Sequence, residues 1–189
     1  MIKAVIFDCF GVLVGSTYEP FKQKYFGGNA ELIKRFIEIE DRSSRGEIAL
    51  TMAEQGFAEL AQIPFEQVAD ELAQNPRNTE LIEFIAKDLK NKFKIGFLSN
   101  VAKDRTKELF TDADISLFDD IVLSFQVGLA KPAPQIFVLA AQRLGLEPEE
   151  CVFVDDLSKY LVGADSIGMK TILYENFDSF KKELEVVLG

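Results

Sequence analysis

Histidine is absent from the 189-residue chain. Without it no Ser-His-Asp or Cys-His nucleophilic system can be assembled, and the commonest zinc ligand is missing. Acid, base and metal-ligand work therefore falls to carboxylates. Cysteine is scarce: Cys9 and Cys151 are the only two, both within expected strands, which argues for buried free thiols rather than a disulfide framework. No apolar run approaches the ~20 residues that span a bilayer, and the first expected strand follows Met1 directly with no charged-then-apolar leader. The expected location is cytoplasmic. Basic residues are the minority, 21 against 31 acidic, and the net charge of −10 disfavours nucleic acid and anionic membrane as partners. An anionic ligand must then be held by cations placed locally.

What is present begins with Lys3–Phe7, a short apolar run rich in β-branched residues that ends in a carboxylate, Asp8, and soon a glycine, Gly11. It reads as a buried parallel strand delivering Asp8 to its carboxyl edge, where open α/β sheets bind ligands. From Ser16 to Asn78 the rhythm is helical: Glu19–Phe26, Ala30–Asp41, Glu47–Gln62 and Phe65–Gln74 carry apolar residues at three- and four-residue spacing. Asn29 and Asn78 are expected helix N-caps. After Thr79 helices and strands alternate, with helices at Glu80–Asn91, Lys103–Thr111, Pro134–Gly145, Lys159–Ile167 and Phe177–Leu188. The strands are Phe93–Leu98, Asp120–Leu123, Cys151–Val154 and Lys170–Leu173. Such alternation implies an α/β fold, a doubly wound parallel sheet of Rossmann-like type. The expected domains are a core of residues 1–15 and 79–189 and an inserted small helical cap of residues 16–78.

Four separated segments carry a resemblance. They are Phe7-Asp8-x-x-Gly11-Val12-Leu13, Leu98-Ser99-Asn100, Gly128-x-x-Lys131-Pro132-x-Pro134, and the run Phe153-Val154-Asp155-Asp156. In order and spacing they resemble the motifs of the haloacid dehalogenase (HAD) superfamily, and the similarity covers nearly all of the core, leaving only the cap individual. The resemblance implies a hydrolase, in its phosphatase-like branch, acting on a small phosphorylated metabolite.

By that resemblance Asp8 is the nucleophile and forms an aspartyl-phosphate that water hydrolyses. Mg²⁺ is the implied cofactor, held by Asp8, the backbone carbonyl of Phe10 and Asp156 directly, with Asp155 acting through water or from behind these ligands; oxygen-only ligands suit such a hard cation. Lys131 neutralises Asp8 and the phosphoryl oxygens. Ser99 donates a hydroxyl hydrogen bond to the phosphoryl group, backbone N–H groups near Gly11 and Asn100 add others, and Asn100 either contacts the leaving group or orients its loop.

Phe10 is the main departure. HAD phosphatases usually carry a second aspartate there, the general acid that protonates the leaving alcohol and the base that activates water. Phenylalanine does neither, a loss that typically costs ~10²–10⁴-fold. Two expectations therefore stand: a slow Mg²⁺-dependent phosphohydrolase, or a catalytically impaired relative that binds a phosphorylated ligand or partner. Dehalogenases fit less well, because Asp155-Asp156 is retained. Tyr160 stands where many relatives have asparagine. In the cap, Arg42 and Arg45 within Arg42–Ile48 are candidates to touch substrate or to be ordinary solvated charges, and Phe21, Tyr25, Phe26 and Phe57 line a pocket or fill the cap core.

Overall fold

The computed structural model describes all residues, 1–189. Strand β1 (Ala4–Phe7) is fully buried and occupies the centre of a five-stranded parallel sheet. Its neighbours are β2 (Lys94–Ser99) and β4 (Cys151–Asp155), flanked in turn by β3 (Asp120–Leu123) and β5 (Lys170–Leu173). The order β3-β2-β1-β4-β5 gives the doubly wound architecture expected from the alternation. A parallel sheet covered on both sides demands strands that are apolar on both faces. Accordingly Ala4 and Ile6 join one core cluster with Ile136, Phe137 and Phe153, while Val5 and Phe7 join the other with Leu81, Ile85 and Phe180. The helices supplying these covers are α9 (Pro134–Arg143) and α10 (Ser158–Asp165) on one side, α5 (Thr79–Phe84) and α11 (Phe177–Leu188) on the other.

Register sets what emerges at the carboxyl edge. Phe7 pairs with Val154, and the Asp8 amide donates to the Val154 carbonyl at 2.9 Å, so Asp8 and Asp155 leave the sheet side by side. Strand alternation continues past β1: Cys9 lies in the following turn but packs with Val5 and Phe7, on the face opposite Asp8. Cys151 belongs to the other cluster, and both thiols are buried and free.

Between β1 and α5 the chain makes four helices, α1 (Tyr18–Phe26), α2 (Ala30–Ser44), α3 (Leu50–Ala61) and α4 (Phe65–Leu72). They bury a separate aromatic cluster of Phe21, Phe26, Phe36 and Phe57, with the Phe36 and Phe57 rings 4.3 Å apart. Chain entry and exit are stitched together. The Gly15 amide donates to Pro76 (2.8 Å), the Asn78 amide to Leu13 (2.9 Å), and the Asn75 side chain to the Gly15 carbonyl (2.9 Å). Asn29 and Asn78 cap α2 and α5 as expected, accepting from Leu32 and Leu81. No helix is long and apolar enough to cross a membrane.

Two expected helices are interrupted. The stretch expected at Glu80–Asn91 passes from α5 into a wider π turn at Ile85–Leu89. The helix expected over Lys103–Thr111 is two short ones, α6 (Thr106–Leu109) and α7 (Asp112–Ile115). Asp104 delays the first by accepting from the Thr106 amide and hydroxyl. Phe110 then turns extended to pack edge-on against Phe97, and Thr111 with Asp114 forms a capping box that starts the second. The third inserted helix starts at Leu50 rather than Glu47, because the chain bends through Gly46 at φ 75°.

Candidate active site

Three carboxylates and one ammonium meet at the carboxyl edge. Lys131, in the loop after the short helix α8 (Ser124–Val127), is buried, and its Nζ lies 2.7 Å from Asp8 Oδ1 and 2.6 Å from Asp155 Oδ2. The rings of Tyr160 and Phe153 flank the same ammonium at 4.8 and 5.2 Å. Both acids hold Lys131 in its charged form against the cost of burial. Its backbone is clamped too. The Asn100 side chain accepts from the Lys131 amide (2.9 Å) and donates to the Lys131 carbonyl (3.0 Å). Of the two roles expected for Asn100, the structure displays the loop-orienting one.

The carboxylates are unequally engaged. Asp155 is fully buried and uses both oxygens, one on Lys131 and the other accepting from the Leu157 amide at 2.9 Å. Asp156 has a buried Oδ1 with no partner in the protein. Burial, with repulsion from Asp155, pushes its carboxyl up to about 6. Asp8 is pushed up to about 7, by burial first and by Asp155 and Asp156 beyond that, against the pull of Lys131. Ligand oxygens of Asp8, Asp155 and Asp156 lie within 4.8 Å of one another. Three carboxylates against one ammonium leave two negative charges in a buried site, the deficit one divalent cation neutralises, and the all-oxygen donor set suits a hard one. The orphaned Asp156 oxygen points to the same chemistry, since a buried carboxylate oxygen without a donor is costly.

Gly11 contributes by what it lacks. A Cβ on it would stand 2.1 Å from Asp156 Oδ2, and its φ of 92° is one that L side chains rarely adopt. Its amide is no ligand donor, because it already donates to the Val14 carbonyl at 2.7 Å. That corrects the expectation of Gly11 as a substrate contact: the glycine makes room for Asp156. The amides of Cys9, Phe10 and Asn100 donate to no protein acceptor and remain for an anion. Ser99 is fully buried at the end of β2, its hydroxyl without a partner.

Above this floor lies a cavity of about 220 Å³ lined by Asp8, Phe10, Asn100 and Lys131 from below and by the inserted helices from above. Phe10 is half-buried there with the Arg105 guanidinium 5.9 Å over its ring. Arg105 is braced by Glu108 (3.0 Å) and Asn75 (3.1 Å). Arg42 and Arg45 do not reach the cavity: Arg45 pairs with Asp41 at 2.7 Å and both pair with Glu47 on the surface, so the solvated reading of these arginines is the observed one. Their neighbours Ser43 and Ser44 line it instead. Phe57 lines the cavity while also filling the aromatic cluster. Phe21 and Phe26 serve the cluster alone, and Tyr25 bonds Glu71 near the surface. Arg105 and Tyr160 were not singled out as site residues from sequence. Only the departure at Tyr160 from the family asparagine carried a signal.

A family model described as haloacid dehalogenase-like hydrolase matches residues 2–158. The chain belongs to the haloacid dehalogenase-like hydrolases. Among curated relatives, mouse acyl-CoA dehydrogenase family member 10 is 33% identical over 211 residues, covering 99% of this chain and 19% of the relative. The glyceraldehyde 3-phosphate phosphatase of Methanopyrus kandleri is 40% identical over 82 residues, covering 42% of this chain and 35% of that enzyme. The chain thus spans about a fifth and a third of these relatives' lengths. A HAD family enzyme from Bacteroides thetaiotaomicron, crystallised with magnesium and inorganic phosphate, superposes with a TM-score of 0.71 at 24% identity, over 93% of this chain and 95% of that one. That likeness extends the HAD fold through the inserted helices as well as the sheet.

Proposed function

We propose that this HAD-like hydrolase is a Mg²⁺-dependent phosphohydrolase acting on a small phosphorylated metabolite through Asp8. The observation that carries the reading is the buried Lys131 ammonium bound to Asp8 and Asp155, with Asp156 left open beside it. The M. kandleri relative, named for a phosphatase activity, and the fold neighbour holding magnesium with phosphate support it. Asp8, Asp156 and the Phe10 carbonyl would hold the metal, with Asp155 behind them. A divalent cation there supplies charge neutralisation for an anionic nucleophile and an anionic ester.

The chain's own residues perform the displacement. An Asp8 oxygen attacks phosphorus, the bond to the leaving oxygen breaks, and water then attacks phosphorus and breaks the bond to Asp8, releasing inorganic phosphate. Lys131 stays charged throughout and stabilises phosphoryl oxygens as charge shifts. The Ser99 hydroxyl and the amides of Cys9, Phe10 and Asn100 donate to those oxygens. The four inserted helices act as a cap that limits the substrate to what the cavity admits.

Phosphate release from p-nitrophenyl phosphate, acetyl phosphate and hexose phosphates tests the reading. Turnover should need Mg²⁺, stop with chelator and vanish in Asp8→Asn. Phe10 favours a second reading, a binder that turns over nothing: absent phosphate release from the whole panel, together with a phosphate mimic raising the melting temperature, would replace the first reading with it.

A further inference from the structure

Phe10 leaves the site with no proton donor or acceptor at the position where its ring lies, and the glutamates lining the cavity are unequally engaged. Glu19 is bonded to Lys22 and Gln23, and Glu108 to Lys103 and Arg105. Glu40 and Glu54 have neither a hydrogen bond nor an ion pair. Of the two, Glu40 is the one whose surroundings reach the site's floor: Tyr160, whose ring lies 4.8 Å from the Lys131 ammonium, lines the same cavity and feels the charges of both Glu40 and Asp8. Glu54 is instead under the influence of Lys103 and Arg105.

Helix α2 aims Glu40 there. Phe36, Glu40, Ser43 and Ser44 all line the cavity, at positions i, i+4, i+7 and i+8 of one helical face. That face is anchored to the core, because the Ser124 hydroxyl donates to the Ser44 carbonyl and accepts from the Val101 amide at 2.9 Å. Val101 follows Asn100, which clamps the Lys131 loop. Glu40 therefore sits one turn, ~6 Å along the axis, from a joint tied to the catalytic loop. A partly buried carboxylate without a partner, aimed into the cavity that also holds Asp8 and Lys131, is a candidate functional group.

We propose that Glu40 performs the acid–base step that Phe10 cannot. Its carboxyl gives a proton to the leaving oxygen as Asp8 attacks and the P–O bond breaks. The resulting carboxylate takes a proton from the water that attacks phosphorus and breaks the bond to Asp8. The inference rests on the phosphohydrolase reading. The groups facing Glu40 are Lys159 and Tyr160 from α10, Lys22, Glu19 and Tyr18 from α1, and Asp41 beside it on α2. Burial dominates, with Asp41 and Glu19 adding to it and the two lysines opposing, and the carboxyl is held above its ordinary value, the direction a proton donor near neutral pH requires.

Glu40→Gln, Glu54→Gln, Phe10→Asp and the double variant Phe10→Asp/Glu40→Gln, each with Mg²⁺, test it on an alkyl phosphate and on p-nitrophenyl phosphate, whose leaving group needs no proton. In Glu40→Gln, alkyl phosphate turnover should fall ~10²–10⁴-fold and lose its descending limb at high pH, while the first burst of p-nitrophenolate is kept. Phe10→Asp should restore alkyl phosphate turnover in the double variant. An unchanged melting response to phosphate mimic shows that Glu40→Gln is folded. Wild-type rates and pH profile in Glu40→Gln, or the loss appearing in Glu54→Gln instead, overturn the Glu40 assignment alone. A wild type that releases phosphate from neither substrate overturns the phosphohydrolase reading and the assignment with it.

Discussion

Lys131 is the residue on which the site's electrostatics turn, because it is the one cation in contact with both Asp8 and Asp155. Lys131→Met should remove activity and leave those acids buried without their partner. Breaking a buried pair from one side costs ~3–5 kcal/mol, measurable as a drop in unfolding free energy by urea titration of the metal-free protein. Gly11 offers the complementary test. Gly11→Ala drives a methyl into the Asp156 carboxylate, so the rise in melting temperature on adding Mg²⁺ should disappear; an undiminished rise would show that Asp156 is not where the metal binds.

Among the elements, the joint between the inserted helices and the sheet is held by polar contacts. Asn78 caps α5, donates to the Val12 carbonyl at 2.8 Å and to the Tyr174 hydroxyl at 2.7 Å. Asn78→Ala removes all three, and a loss of ~1–2 kcal/mol is expected by chemical denaturation. Elements whose signal is local were legible in the sequence. The apolar run of β1, the Asn29 and Asn78 caps and the acids ending β4 all sit where their neighbours alone dictate. In the candidate site, Asp8, Asp155 and Asp156 were legible as the ends of strands in a parallel sheet, whereas Lys131, in a loop, was reached only through its motif's resemblance to the family. What escaped depends on how helices lie across that edge. Whether Glu40, Arg42 or Arg45 faces the cavity is decided by the rotation of α2, set by its aromatic packing and by Ser124. The break at Phe110 is likewise tertiary, since an aromatic slot beside Phe97 outweighs helical continuity.

At the scale of the whole molecule, stability and metal affinity should be linked through pH. Asp8 and Asp156 have folded values of about 7 and about 6, both raised from the ordinary 3.8. They bind protons more tightly folded than unfolded, so in the metal-free protein their contribution is present at low pH and is lost as pH rises from about 4 through those values. A divalent cation needs the ionised forms, and its stabilising effect should grow over the same interval. Melting temperatures with and without Mg²⁺ between about pH 5 and pH 8 check this: the gap should widen with pH, and a gap independent of pH would mean that the acids are already ionised without metal.

The stitching of Gly15 to Pro76 and of Leu13 to Asn78 has a consequence for redesign. The four helices enter and leave through a doorway one hydrogen bond wide, so the intervening cassette is interchangeable in principle: another module of different length closes the same gap at little entropic cost. A graft across that doorway would exchange the roof over the nucleophile while the floor keeps its shape.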